Sequence, residues 1–75
     1  MWMTMQENDF VLVYTYKGVC YQGYIVKNTN EYIQLAQVEV YDHDTLYMQP
    51  QIQLAKEDIE VMAKIVFLSE KERLQ

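Results

Sequence analysis

From Phe10 onward the chain breaks into five runs of strand composition, separated by polar or glycine-containing turns. The first run, Phe10 to Tyr16, is almost wholly β-branched or aromatic, and such side chains fit the pleated surface of a sheet. Alternation puts Phe10, Leu12, Tyr14 and Tyr16 on one face and Val11, Val13 and Thr15 on the other. Both faces are apolar, so the valine face is expected to need cover from an arm, a helix or another chain. Lys17-Gly18 turns the chain into a second run, Val19 to Lys27, interrupted at Gly23. Glycine weakens a strand and marks a bulge, a sharp bend or a close backbone approach. In so short a chain a bent strand curls the sheet over on itself, and Gly23 is predicted to be that bend.

Asn28-Thr29-Asn30-Glu31 supplies turn chemistry, because asparagine tolerates left-handed backbone. The third run, Tyr32 to Tyr41, points Ile33 and Leu35 inward, but Val38 and Val40 fall in the opposite phase. That slip predicts a bulge near Ala36-Gln37. After the polar loop Asp42-His43-Asp44-Thr45, a fourth run alternates Leu46, Met48, Pro50, Ile52 and Leu54 with Tyr47, Gln49, Gln51 and Gln53. Proline lacks a ladder donor, so Pro50 is expected at an edge, a strand start or a bulge. Ala55 to Asp58 has room for one 3₁₀ turn, and a fifth strand is expected from Ile59 to about Phe67. Thr4-x-x-Glu7 and Ser69-x-x-Glu72 fit capping boxes, each with room for a turn or so of helix. The expected division is an arm over residues 1–9 laying Trp2 on the barrel, a barrel over 10–67 and a tail over 68–75.

Composition bears on what holds such a barrel together. A single 75-residue domain has a core worth only about 3–5 kcal/mol without added staples. The one cysteine, Cys20, cannot form an internal disulfide, and no zinc spacing surrounds it. Self-association is the remaining staple, so a homo-oligomer is expected. The net charge of −5, from 11 acidic against 6 basic residues, repels a polyanion at long range. No three Lys or Arg cluster to offset it, so nucleic acid is disfavoured as a partner. No apolar run approaches the roughly 20 residues of a membrane span and no signal peptide is visible, so a cytoplasmic protein is expected.

Five strands, a glycine bend in the second and a short turn before the fifth describe an all-β, SH3-like small barrel. Within that class the chain resembles the Sm-like family, which includes the bacterial RNA chaperones of that fold. The likeness is carried by Lys17-Gly18, Tyr21-x-Gly23-x-Ile25 and Ile33-x-Leu35-x-x-Val38, which follow the first Sm motif over a resemblance spanning residues 10 to 66. Lys56-x-Asp58-Ile59-x-Val61 stands where the second motif belongs. The full helix that usually precedes the barrel in the family is cut to a stub here, so at most short terminal helical turns are expected. The resemblance implies a five-stranded barrel whose open edges pair between subunits of a ring. It also implies an RNA site at the turn into the third strand and just before the fifth, where the family holds an Asp and an Asn, then Arg-Gly or Lys-His. Here the first position reads Asn28-Thr29-Asn30-Glu31-Tyr32 and the second Lys56-Glu57-Asp58, so the family's nucleotide pocket does not carry over. If RNA binds at all, the resemblance points to Asn28, Asn30, Tyr32 and Lys56.

No catalytic constellation is present: there is no phosphate loop, serine elbow or paired-carboxylate signature. Asp42-His43-Asp44 offers ligand types, but adjacent loop residues seldom converge on one ion and no second histidine completes a shell. It reads as a solvated loop. Cys20 reads as a structural thiol rather than a nucleophile. The seven tyrosines interleave with few cations, which fits a core and a protein interface better than base stacking. The expectation is a non-enzymatic interaction protein without metal or cofactor, acting through self-association and an unidentified protein partner. Val11, Val13, Tyr24, Tyr47, Gln49 and Gln51 are its interface candidates, with the glutamine row Gln49, Gln51, Gln53 as an uncharged strand face.

Overall fold

The computed structural model describes residues 6–66. Five antiparallel strands follow in chain order: β1 (Phe10–Thr15), β2 (Val19–Asn28), β3 (Tyr32–Asp42), β4 (Thr45–Ala55) and β5 (Ile59–Ile65). A 3₁₀ turn, Lys56–Asp58, joins the last two. Spatial order is β4-β3-β2-β1-β5, so β4 and β5 are the two edges and the barrel stays open between them. The terminal capping boxes and Trp2 fall wholly or mostly outside the described residues.

The bend lies where the glycine predicts it. Between the pairs Gln22↔Glu39 and Tyr24↔Ala36, β3 carries one residue more than β2, so Gln37 and Val38 together face Gly23. Gln37 takes up the extra length in left-handed backbone, at φ 53°. The bulge drives β3 into β2: a Cβ on Gly23 would sit 2.8 Å from the Ala36 carbonyl oxygen and 3.2 Å from Val38 Cγ2. Only glycine fits there. A second bulge, at Val26 of β2, lies between the pairs Ile25↔Leu35 and Lys27↔Gln34. Together they twist β2 over the interior.

The core is built from one face of every strand: Val11, Val13, Ile25, Ile33, Leu35, Val38, Val40, Leu54 and Ile59 are buried. This reverses the expectation for β1. Val11 and Val13 need no cover from another chain, because they are fully buried inside the barrel itself. Register explains the choice. Val11 pairs with Gly23 and Val13 with Tyr21, which sets the valine face against the tight inner side of the bend, where short β-branched side chains fit. Phe10, Leu12 and Tyr14 are left on the outer face.

The alternation expected for β4 also fails, at Pro50. Leu54 is buried and Ile52 packs against the core, but Leu46 and Met48 are exposed. They pair with Tyr41 and Glu39, which point away from the interior, whereas Tyr47 and Gln49 pair with the buried Val40 and Val38. Pro50 falls opposite Gln37, between the pairs Ala36↔Gln51 and Val38↔Gln49. The phase slip of β3 is thereby copied into its neighbour. Gln49 accordingly shares no row with Gln51 and Gln53. Pro50 does occupy an edge strand, where its missing donor costs least.

Turns are closed by threonines. Thr15, the one buried polar side chain among the described residues, donates its hydroxyl to the Val19 carbonyl at 2.8 Å and accepts from the Val19 N–H at 3.2 Å. Gly18, at φ 87°, completes that turn. Thr29 Oγ1 accepts from the Tyr32 and Glu31 N–H groups at 3.1 and 3.3 Å, fixing the turn into β3.

Candidate interaction surfaces

The edges come first. Along its N-terminal half β4 is exposed on both faces, through Leu46 and Met48 on one and Tyr47 and Gln49 on the other. The opposite edge, β5, exposes Val61, and Val66 follows its end. Among the described residues no further strand covers either edge. Of the interface candidates, Tyr47, Gln49 and Gln51 stand on edge β4, and Gln51 accepts a hydrogen bond from Gln34 Nε2 at 3.1 Å. Tyr24 lies on the central β2, where its ring tilts against Phe10 at 4.8 Å, beside a hollow of about 590 Å³ reaching to Glu7 and Asn8. Val11 and Val13 present no surface.

The two loops implied as an RNA site do meet. The Lys56 N–H donates to the Glu31 carbonyl at 2.9 Å, which sets the 3₁₀ turn beside the Thr29 turn. Asn28 and Tyr32 are half-buried at the strand ends and Asn30 is exposed between them. Partial burial pulls the Lys56 ammonium below the ordinary lysine range. Glu31, Glu57 and Asp58 are exposed on the same two loops. His43 binds its neighbour Asp42 at 2.8 Å in an exposed turn, and among the described residues no three His, Cys, Asp or Glu side chains converge.

A third surface escaped the sequence reading. Strand pairing lines up Val61, Tyr14, Cys20, Tyr41 and Leu46 in one row crossing all five strands on the outer face. Every member is apolar or aromatic. Tyr41 Oη donates to Glu39 Oε1 at 2.6 Å, and that bond raises the phenol pKa above its usual value. Burial pushes up the Cys20 thiol. These residues come from five separate runs, so no local period betrays the row.

A curled five-stranded antiparallel sheet, open between its first and last strands in space and bent at a glycine, defines a small β-barrel of the Sm-like kind. Solved structures bear this out. A heptameric archaeal Sm protein superimposes with a TM-score of 0.76 at 15% identity, over 85% of this chain and 98% of that one. A chain of the NatC complex bound to CoA gives 0.71 at 11% identity, over 80% of this chain and 79% of that one. No protein-family model and no curated protein matches the sequence. The likeness is therefore one of fold.

Proposed function

We propose that this protein is a non-enzymatic interaction module that assembles with copies of itself through the edges β4 and β5 and acts by protein–protein contact. The observation that carries this is the pair of open edges, both lined by exposed apolar side chains, Leu46 and Met48 on one and Val61 on the other. Unpaired edges template strand addition, and a heterologous edge-to-edge contact that closes makes a ring. The archaeal Sm protein of the same fold is heptameric, which supports that arrangement. Light scattering at micromolar concentration is expected to give a multiple of 9.0 kDa. A monomer across that range would overturn self-association.

RNA binding is the second reading, favoured by the contact that joins Lys56 to the Asn28–Tyr32 turn. Against it stand Glu31, Glu57 and Asp58 on those loops, since a carboxylate in direct contact with a phosphate is not protected by a screening length of about 8 Å. Titration of labelled U-rich and A-rich oligonucleotides at about 0.15 M salt decides. Saturable binding tighter than about 1 μM and falling steeply with salt would replace the protein-contact reading with this one.

A further inference from the structure

We propose that the outer-face row Val61–Tyr14–Cys20–Tyr41–Leu46 is a docking strip for a short cationic amphipathic segment of a partner protein. The inference rests on the protein-contact reading and gives it a second surface, the outer face of the sheet, which meets the two edges at Val61 and Leu46. The row is continuous through the register of four strand pairs, Tyr14 with Val61, Tyr14 with Cys20, Cys20 with Tyr41 and Tyr41 with Leu46. Its members are 54% (Val61), 48% (Tyr14), 37% (Tyr41) and 59% (Leu46) exposed, with Cys20 half-buried between them. Isolated exposed apolar residues need no explanation, but a contiguous strip on a small protein marks an interaction site. Four interstrand steps of about 4.8 Å make the strip about 19 Å long. The sheet is curled, so the straight span is shorter and at most about 13 residues of helix lie along it.

Charge selects the occupant. Glu39 holds the Tyr41 hydroxyl, Asp42 and Asp44 flank the turn beside Tyr41 and Leu46, and Asp58 and Glu60 adjoin Val61. Against these five carboxylates stand Lys17, in the turn beyond Thr15, and Lys56, in the same 3₁₀ turn as Asp58; Lys64 lies toward the far end, where it pairs with Asp9 at 3.6 Å. Apolar contact in the middle and carboxylates around it suit a segment with Leu or aromatic residues on one face and Lys or Arg on the other. A second copy laid face to face would set these carboxylates against their equivalents, which disfavours it.

The test uses the full chain and a 14-residue Leu/Lys amphipathic peptide, with a Leu/Glu peptide of the same apolar face as its counterpart. The basic peptide is expected to bind saturably at micromolar concentration and at least tenfold more tightly than the acidic one. Tyr14→Ser with Tyr41→Ser, exposed positions on the interior strands β1 and β3, is expected to weaken binding at least tenfold while circular dichroism and assembly mass stay those of wild type. Asp44→Asn with Glu60→Gln is expected to weaken it severalfold and flatten its salt dependence. Equal binding of the two peptides, or binding unaffected by the serine variant, would overturn the proposal. So would a fall in assembly mass in the serine variant, which would make a second copy the occupant. Failure of the peptide to bind leaves the mass measurement untouched, and a monomeric mass leaves the peptide titration untouched, so the two readings fail separately.

Discussion

Two glycines show opposite physics at the scale of single residues. At Gly23 the obstacle is space: a Cβ meets a backbone oxygen at 2.8 Å, and backbone yields less readily than a flexible side chain. Gly23→Val should cost on the order of 2–3 kcal/mol through overpacking, read as a lower urea midpoint; an unchanged midpoint would place the bend elsewhere. At Gly18 nothing lies within 4 Å of an added Cβ, yet φ is 87°. Gly18→Ala should therefore cost about 1 kcal/mol from backbone conformation alone. Titration belongs at this scale too. Burial raises Cys20, and burial with the Tyr47 and Asp42 charges raises Tyr21, while the Glu39 hydrogen bond leads in raising Tyr41. A raised folded pKa means the native state holds its proton longer than the unfolded chain does. The stability these groups contribute is thus fully present below their ordinary values of 9.0 and 10.0 and is lost as pH rises through the higher folded ones. Melting temperature should fall above about pH 9, in step with tyrosine ionisation read by ultraviolet absorbance. A flat profile to pH 11 would contradict this.

At the scale of elements, the bulge at Gln37 decides which side of the β3–β4 hairpin faces in. Its left-handed backbone costs a non-glycine residue about 1–2 kcal/mol, while glycine there would lose about 0.5–1 kcal/mol in extra chain entropy. The strain is the larger of the two, and Gln37 is exposed, so no packing is lost. Gln37→Gly should leave stability unchanged or raise it by up to about 1 kcal/mol, whereas Gln37→Val, β-branched at φ 53°, should destabilise by at least about 1 kcal/mol. Paired thermal melts distinguish them. Valine tolerated as well as glycine would mean that the bulge moves along the strand.

At the scale of the whole molecule, the barrel is unfinished. Its core is one thin layer of mostly Val, Ile and Leu, and two edge strands remain open to a neighbour. Lysine on an edge is a common natural block to strand addition. The pair Tyr47→Lys and Gln49→Lys, both exposed on β4, should shift the light-scattering mass toward 9.0 kDa while preserving the strand signature in circular dichroism. An assembly unmoved by these charges would have to form through β5 or the outer face instead.

The five strands, the Lys17-Gly18 turn, the bend at Gly23, the bulge at Gln37 and the 3₁₀ turn before β5 were all legible along the chain. Each is written in local residue types, namely β-branched runs, a glycine, or a break in alternation. Which face of β1 is inside was not legible, because both faces are apolar and only the register of Val11 against Gly23 separates them. The misreading at Leu46 and Met48 has the same root: β4 alternates cleanly in sequence, but its phase is imposed at Pro50 by the bulge in its neighbour. The outer row lies further still from the sequence. Its five residues come from five strands, and hydrogen-bond register, a property of paired strands rather than of any one of them, is what brings them side by side.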